Sequence, residues 1–189
     1  FDGARGLAVV SSGLLESAAQ DNADRTLALT LYRATQRTVF TDGEPGGQLA
    51  GALHFRYWIV PLAAPPDRVR LSRLGQQIAG GLRAVQLRAA DLPLYRRSAE
   101  LSATAGLLGV DGPAVVTSTR WLAGGLELRL FNPTTEAGEV TVHFTGEMPL
   151  TTVEEVDFES RSRGAAQLVI DGTVRIGLSA KQIKTLRFA

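Results

Sequence analysis

The stretch Leu126-Glu-Leu-Arg-Leu-Phe-Asn-Pro-Thr134 decides the fold class of this chain. Its three leucines alternate with Glu127 and Arg129, which is the period of a strand with one buried face and one face in water. Asn132-Pro133 ends this strand, because asparagine favours turns and proline cannot donate to a sheet ladder. The same alternation returns after a loop ending at Gly138. We therefore predict an antiparallel hairpin whose second strand buries Val140, Val142 and Phe144.

Further strands follow towards the C-terminus. Leu168 and Ile170 lead into Asp171-Gly172, a two-residue turn signal whose backbone matches the twist of paired strands. The predicted partner strand after this turn alternates in the same way and buries Val174, Ile176 and Leu178. A last strand is predicted from Ile183 to Phe188.

The N-terminal part is also predicted to be mainly β. The apolar patterns there predict strands at Leu7–Val10, Thr26–Tyr32 and Leu53–Val60. The third is apolar on both faces, which indicates a central position, and Pro61 is expected to end it. Many short strands with turns about every ten residues are typical of an antiparallel β-sandwich. We expect residues 1–189 to form a single domain of this class.

One segment has the period of a helix. Apolar residues recur there at steps of three and four, at Leu71, Leu74, Ile78, Leu82 and Val85. A helix is predicted over about residues 67–80, with Asp67 as its cap and Gly80-Gly81 as its end. The following stretch from Arg83 to Leu101 is predicted to be a long surface connection.

Composition excludes several functions. Apolar residues make up 44% and charged residues 21% of the 189-residue chain, as in folded soluble proteins. The net charge is +1 without a block of like charges, so we expect no nucleic-acid partner. The absence of cysteine excludes disulfides, thiolate metal sites and a thiol nucleophile, and favours the cytosol. No apolar run approaches the roughly 20 residues of a membrane span, so no membrane partner is expected.

Few residues suggest chemistry. His54 and His143 are the only histidines and stand 89 positions apart, so we predict no zinc site from them. Two interpretations fit the acidic run of Glu154, Glu155, Asp157 and Glu159. It can supply the paired carboxylates of a glycosidase or form a solvated strand face, and the second is favoured. The glycine-rich stretch from Gly43 to Gly47 is interpreted as a hairpin loop.

Trp58 and Trp121 also leave two interpretations open. An exposed indole ring can stack on a sugar, as it does in carbohydrate-binding modules. Each tryptophan is embedded in an apolar strand pattern, however, and core packing is therefore the favoured interpretation.

Four stretches in order resemble the C-terminal β domain of glycoside hydrolase family 38, the α-mannosidases. They are Gly6-Leu-Ala-Val-Val-Ser-Ser-Gly-Leu-Leu-Glu16, Arg25-Thr-Leu-Ala-Leu-Thr-Leu31, Leu126-Glu-Leu-Arg-Leu-Phe-Asn-Pro-Thr134 and Leu178-Ser-Ala-Lys-Gln-Ile-Lys-Thr-Leu-Arg-Phe188. The chain departs from the family pattern at Leu15 and Ser17, where proline and tyrosine are usual. Since the chain begins with Phe1 instead of Met, and a strand pattern follows already at Leu7–Val10, we expect it to be part of a longer protein.

The resemblance implies a zinc-dependent, retaining α-mannosidase whose zinc and nucleophile belong to an N-terminal barrel domain of the same chain. This segment would be an inactive accessory domain, without a cofactor of its own, in a bacterial cytoplasmic enzyme that acts on mannosides. By similarity, the loop with Ser12, Gly13 and Glu16 approaches the substrate without a role in bond breaking. An autonomous carbohydrate- or protein-binding β-sandwich is the alternative.

Apolar residues outside any strand pattern suggest a surface that packs on another domain or on a second copy of the chain. These residues are Leu14, Leu15, Leu92, Leu94 and Tyr95. Multidomain chains bury about 600 to 1,500 Å² at such interfaces, and a monomer rarely leaves that area exposed. Self-association is therefore a further expectation.

Overall fold

The computed structural model describes residues 1–14, 16–34, 51–84, 106–145 and 150–189. By its contacts the chain divides into two compact units. The first comprises Phe1–Pro66 and Leu74–Gly81, and the second comprises Asp67–Arg73 and Leu82–Ala189. The expectation of one domain over residues 1–189 stays a prediction.

The described residues are mainly β, as predicted. The first unit contains β1 (Gly6–Ser11), β2 (Ser17–Ala19), β3 (Leu27–Leu29) and β4 (Tyr57–Leu62). Helix α1 (Arg68–Gly80) belongs to both units, with its first turns in the second unit and the rest in the first. The second unit contains β5 (Leu108–Asp111), β6 (Val115–Leu122), β7 (Gly125–Phe131), β8 (Gly138–Phe144), β9 (Thr152–Val156), β10 (Gln167–Leu168), β11 (Thr173–Leu178) and β12 (Ile183–Phe188).

The strands of the second unit form an antiparallel β-sandwich. One sheet has the order β10-β9-β12-β7-β6 and the other has the order β11-β8-β5. Apolar residues from both sheets fill the space between them, and Phe144 of the small sheet meets Phe188 of the large sheet edge to face, with ring centroids 4.9 Å apart. The buried core consists of Ala114, Leu126, Leu128, Leu130, Val140, Val142, Leu150, Val153, Val174, Leu178, Leu186 and Phe188.

The predicted hairpin of β7 and β8 is wrong in its pairing. Both strands exist where the alternation places them, but β7 pairs with β6 and β12, whereas β8 pairs with β5 and β11. The chain crosses from one sheet to the other between them. Each strand buries its apolar face, and the two faces meet across the core instead of lying side by side. Alternation identifies the buried face of a strand, but it does not identify the neighbour in the sheet.

The turn at Asp171-Gly172 is confirmed, but the strands it joins are not paired along their length. Both residues have positive φ angles, 49° and 67°, as a type I′ turn requires. Ile170 and Thr173 exchange two hydrogen bonds across the turn. Beyond it, β11 joins β8 in the small sheet, and β10 joins β9 in the large sheet.

A buried asparagine ties two loops together at one end of the sandwich. The Asn132 amide nitrogen donates to the carbonyl oxygens of Glu136, at 2.8 Å, and Ser179, at 3.0 Å. Its amide oxygen accepts from the backbone N–H of Thr134 at 2.9 Å and from the hydroxyl of that residue at 2.7 Å. The loop between β7 and β8 is thereby joined to the loop between β11 and β12.

The first unit contains smaller sheets than the sequence predicts. The strand predicted at Leu53–Val60 begins only at Tyr57 and continues through Pro61. It pairs with β1 in a two-stranded sheet, so it is not central. Pro61 is tolerated because β4 is an edge strand of this sheet. The strand predicted at Thr26–Tyr32 is reduced to Leu27–Leu29, which pairs with β2.

The helix is confirmed with its cap and its end. The Asp67 carboxylate accepts from the backbone N–H of Arg70 at 2.9 Å, which satisfies a free donor of the first turn. Gly81 has a φ of 61°, the left-handed conformation common after a helix, and its N–H donates to the carbonyl of Gln77. No helix in the described part of the chain has the length and apolar character needed to span a membrane. The predicted Gly43–Gly47 loop and nearly all of the Arg83–Leu101 connection lie outside the described residues.

Candidate functional site

The loop after β1 holds its one carboxylate in an ion pair. Ser12, Gly13 and Glu16 are all exposed, and Gly13 has a φ of 92°. Glu16 accepts from the guanidinium of Arg33 through both oxygens, with 2.9 Å between Oε2 and Nε. These hydrogen bonds hold the pKa of Glu16 below its usual range, so it is not suited to donate a proton.

The apolar residues of this loop are described only in part. The Ser11 hydroxyl donates to the carbonyl of Leu14 at 2.9 Å, and Leu14 is half-buried. Leu15, Leu92, Leu94 and Tyr95 lie outside the described residues.

The acidic run is not a catalytic pair, because each carboxylate has its own partner. Glu154 pairs with Arg187, and Glu155 lies 3.1 Å from the ammonium of Lys184. Strand β9 ends at Val156, so Asp157 and Glu159 do not share the strand face that the pattern predicts. Glu159 instead pairs with Arg161 at 2.5 Å.

Asp157 organises the turn after β9. One of its oxygens accepts from the backbone N–H groups of Arg161 and Glu159, at 2.9 Å each. Hydrogen bonding to Arg161, above all, holds the pKa of Asp157 below its usual range. The pKa of Glu154 is lowered as well, by hydrogen bonds from the Ser162 hydroxyl and from Arg187. The lowered pKa values keep Glu154 and Asp157 ionised at neutral pH, whereas a glycosidase needs one carboxyl with a raised pKa as its general acid.

An alternating row of charges crosses the outer face of the large sheet. The row runs through neighbouring strands as Arg120, Glu127, Arg187 and Glu154. Glu127 is 1% exposed, although the sequence alternation assigns it to the solvent side. Its Oε2 accepts from Arg120 Nε at 2.9 Å and Nη2 at 2.6 Å. Arg120 and Arg187 both donate to Ser160 in the turn after β9, so polar groups cover this face. The apolar pattern of the sequence does not reveal such a polar cover.

The histidines and tryptophans do not form a metal centre or a core. His143 lies 3.4 Å from a carboxylate oxygen of Asp111 at the surface, and His54 is exposed. Within the described residues, no three potential ligands are grouped for a metal ion. The favoured prediction of core packing for the tryptophans is wrong, because Trp121 is 59% exposed and Trp58 is 41% exposed. Trp121 stands on β6 at the edge of the large sheet, and Trp58 stands on β4 of a two-stranded sheet. In both places the strand pattern is apolar, but neighbouring side chains leave much of the ring uncovered.

A cleft of about 450 Å³ opens in the second unit, beside β11 and β9. Three basic and two acidic side chains line it, together with Gln167, three larger apolar side chains and three glycine or alanine residues. The charged residues are Arg163, Arg175, Lys184, Glu154 and Glu155. Sequence reasoning missed this site, because its members come from separate strands and a turn, and nothing in their spacing connects them.

Comparison of the chain with protein-family models, curated protein sequences and solved structures finds no match.

Proposed function

We propose that the chain is the C-terminal accessory β domain of a zinc-dependent, retaining α-mannosidase, acting in a bacterial cytoplasm. In this proposal, the zinc and the catalytic carboxylate belong to an N-terminal domain of the same protein, and mannoside hydrolysis takes place there. The described residues supply no zinc cluster, so no metal is assigned to this domain. Its role is to pack against the catalytic domain and stabilise it.

An exposed apolar sheet face carries this proposal. The register of β1 and β4 places Leu7, Tyr57 and Ile59 on the same face, and these side chains are 51%, 50% and 61% exposed. On the opposite face, Val10 lies 3.9 Å from the position of a β-carbon added at Gly75 of helix α1. Apolar side chains side by side on an open face are typical of a surface that packs on a partner.

The positions of the resembling stretches also support an accessory role. Strand β7, which leads into the Asn132-Pro133 turn, pairs with the whole length of β12, and both strands lie in the interior of the large sheet. The first stretch, Gly6–Glu16, includes β1, which carries part of the exposed apolar face. The resemblance therefore covers residues that build the sandwich and residues that present a surface to a neighbour.

The exposed tryptophans favour a second candidate, a carbohydrate-binding module. An indole ring that is 59% exposed, as at Trp121, can stack on the apolar face of a sugar ring. In this case the isolated chain binds oligosaccharides directly. Trp121→Ala abolishes that binding, whereas the accessory-domain proposal expects no sugar binding at all.

The test compares the chain alone with the product of the complete reading frame that contains it. We expect the complete protein to hydrolyse an aryl α-mannoside and to lose this activity on chelation of zinc, and we expect the chain alone to be inactive. Tyr57→Ser with Ile59→Ser should lower the thermal stability of the complete enzyme, whereas the exposed polar substitution Glu159→Gln should not. An inactive complete protein, or chelator-sensitive hydrolysis by the chain alone, would contradict the proposal.

A further inference from the structure

The cleft in the second unit lies along the open edge of the small sheet. Its lining includes Arg175, Ile176 and Gly177 of β11, which is an edge strand. The opposite wall includes β9 and the segment from Arg163 to Gln167, which leads into β10 at the edge of the large sheet. An extended segment lying in this cleft would run beside an unpaired strand edge.

The main-chain groups of β11 that face the cleft can be assigned from the hydrogen bonds. Thr173 exchanges both of its backbone bonds with Ile170, so its N–H and C=O point away from β8. Since this direction alternates along an antiparallel strand, Arg175 and Gly177 also direct their main-chain groups away from β8. The Lys184 ammonium donates to the carbonyl of Gly177 at 3.3 Å, as this assignment requires. The N–H groups of Arg175 and Gly177 are therefore two donors with the spacing of a strand ladder.

The charges of the cleft favour an acidic partner. Glu154 and Glu155 are neutralised by their pairs with Arg187 and Lys184. The nearest carboxylate recorded for Arg175 is that of Glu139, at 3.8 Å, and both of these side chains are largely exposed, so this pair is weak. Within the described residues Arg163 has no carboxylate at ion-pair distance, and its charge acts on Asp157 from farther away. With three basic and two acidic side chains, the lining of the cleft carries a net charge of +1.

We propose that the edge of β11 binds an extended acidic peptide segment of a partner protein by strand addition. The peptide backbone accepts from the N–H groups of Arg175 and Gly177, and its acidic side chains lie beside Arg163 and Arg175. Main-chain hydrogen bonds supply affinity in this mode of recognition, and the flanking side chains select the sequence. Glycine at position 177 keeps the approach open, since no atom lies within 4 Å of a β-carbon added there.

The probe is an acetylated, amidated hexapeptide of alternating Glu and Val, titrated into the ¹⁵N-labelled chain. We expect saturable binding, with the largest amide shifts at Arg175 and Gly177. Arg163→Gln and Arg175→Gln should each weaken binding about tenfold, the usual effect of losing a charged hydrogen bond. Arg161→Gln is the matched control, because Arg161 lies in the same loop but pairs with Glu159 and does not line the cleft. It should bind with unchanged affinity.

Two further comparisons separate strand addition from simple anion binding. Gly177→Pro removes the N–H that would join the peptide and should weaken binding about three- to tenfold, whereas Gly177→Ala should not. Both variants are first checked for an unchanged fold by the amide spectrum of the core. A peptide N-methylated on alternate residues should not bind. Any of four results overturns the proposal: equal binding of the N-methylated peptide, complete competition by citrate, binding of a Lys-Val peptide with the same affinity, or no saturable binding.

Discussion

Asn132 provides the sharpest test of how the sandwich is held together. It is fully buried, and its amide makes three hydrogen bonds within the β7–β8 loop and a fourth to Ser179 of the β11–β12 loop. We predict that Asn132→Ala lowers the free energy of unfolding of the second unit by about 2 to 4 kcal/mol. A net hydrogen bond contributes about 1 kcal/mol, so four give an upper value of about 4 kcal/mol. The carbonyls of Glu136 and Ser179 belong to exposed residues and can bind water after the change, which lowers the estimate.

Asn132→Asp separates hydrogen bonding from volume. The side chain keeps its shape and its acceptor, but a carboxylate oxygen then faces two carbonyl oxygens at the positions that now receive the amide N–H groups. Burial beside these carbonyls raises the folded-state pKa of the introduced carboxyl above its unfolded value of about 3.9. Its protonated form is therefore favoured in the folded state, and the loss of stability is smallest below about pH 4 and grows as pH rises through the raised pKa.

Urea unfolding followed by far-UV circular dichroism measures both effects. The control is Gln167→Ala, which removes an exposed amide from the same unit and should change stability by less than about 0.5 kcal/mol. Equal midpoints for Asn132→Ala and Gln167→Ala would show that the buried amide does not join the loops. A pH-independent deficit for Asn132→Asp would refute the electrostatic part of the reasoning.

Three more variants test the fold. Leu128 is fully buried, so Leu128→Ala should lower the free energy of unfolding by about 2 to 5 kcal/mol. Arg129→Ala should lower it by about 1 kcal/mol, because Arg129 donates to the Thr185 hydroxyl and lies over the Phe158 ring. Equal urea midpoints for the two variants would contradict the assigned faces. Gly125→Ala should lower the free energy of unfolding by roughly 2 kcal/mol or more, because the φ of Gly125 is 125° and a β-carbon there would overlap the Phe188 carbonyl of β12. Gly177→Ala is the control, and similar melting temperatures for the two variants would refute this prediction. Asp157 has a lowered pKa, so the stability that it contributes is present above about pH 4 and is lost as the pH falls further. The melting temperatures of Asp157→Asn and of the native chain should therefore converge in acid. A difference that stays constant with pH would contradict this prediction.

The sequence alone predicts which strands of the second unit bury a face, but not their partners. Leu126, Leu128 and Leu130 are buried as the alternation requires, and the Asp171-Gly172 turn has the predicted positive φ angles. The predicted pairings were wrong, because apolar residues alternate with a period of two in both possible arrangements. The period is the same whether two consecutive strands pair in a hairpin or face each other across a core. The helix was predicted with its cap and end because both depend on residues close in sequence.

The candidate sites depend on contacts between residues far apart in the chain, and for this reason the sequence does not reveal them. Glu127 is buried on a polar sheet face only because arginines and a turn from other parts of the chain cover it. The tryptophans have apolar neighbours in sequence, yet they remain exposed on strands at open sheet edges. The cleft likewise exists because the β11 edge lies beside the turn after β9. Local pattern determined strands β7, β8, β11 and β12, the turn and the helix. The tertiary structure decided which faces are covered, because coverage depends on the packing of distant segments.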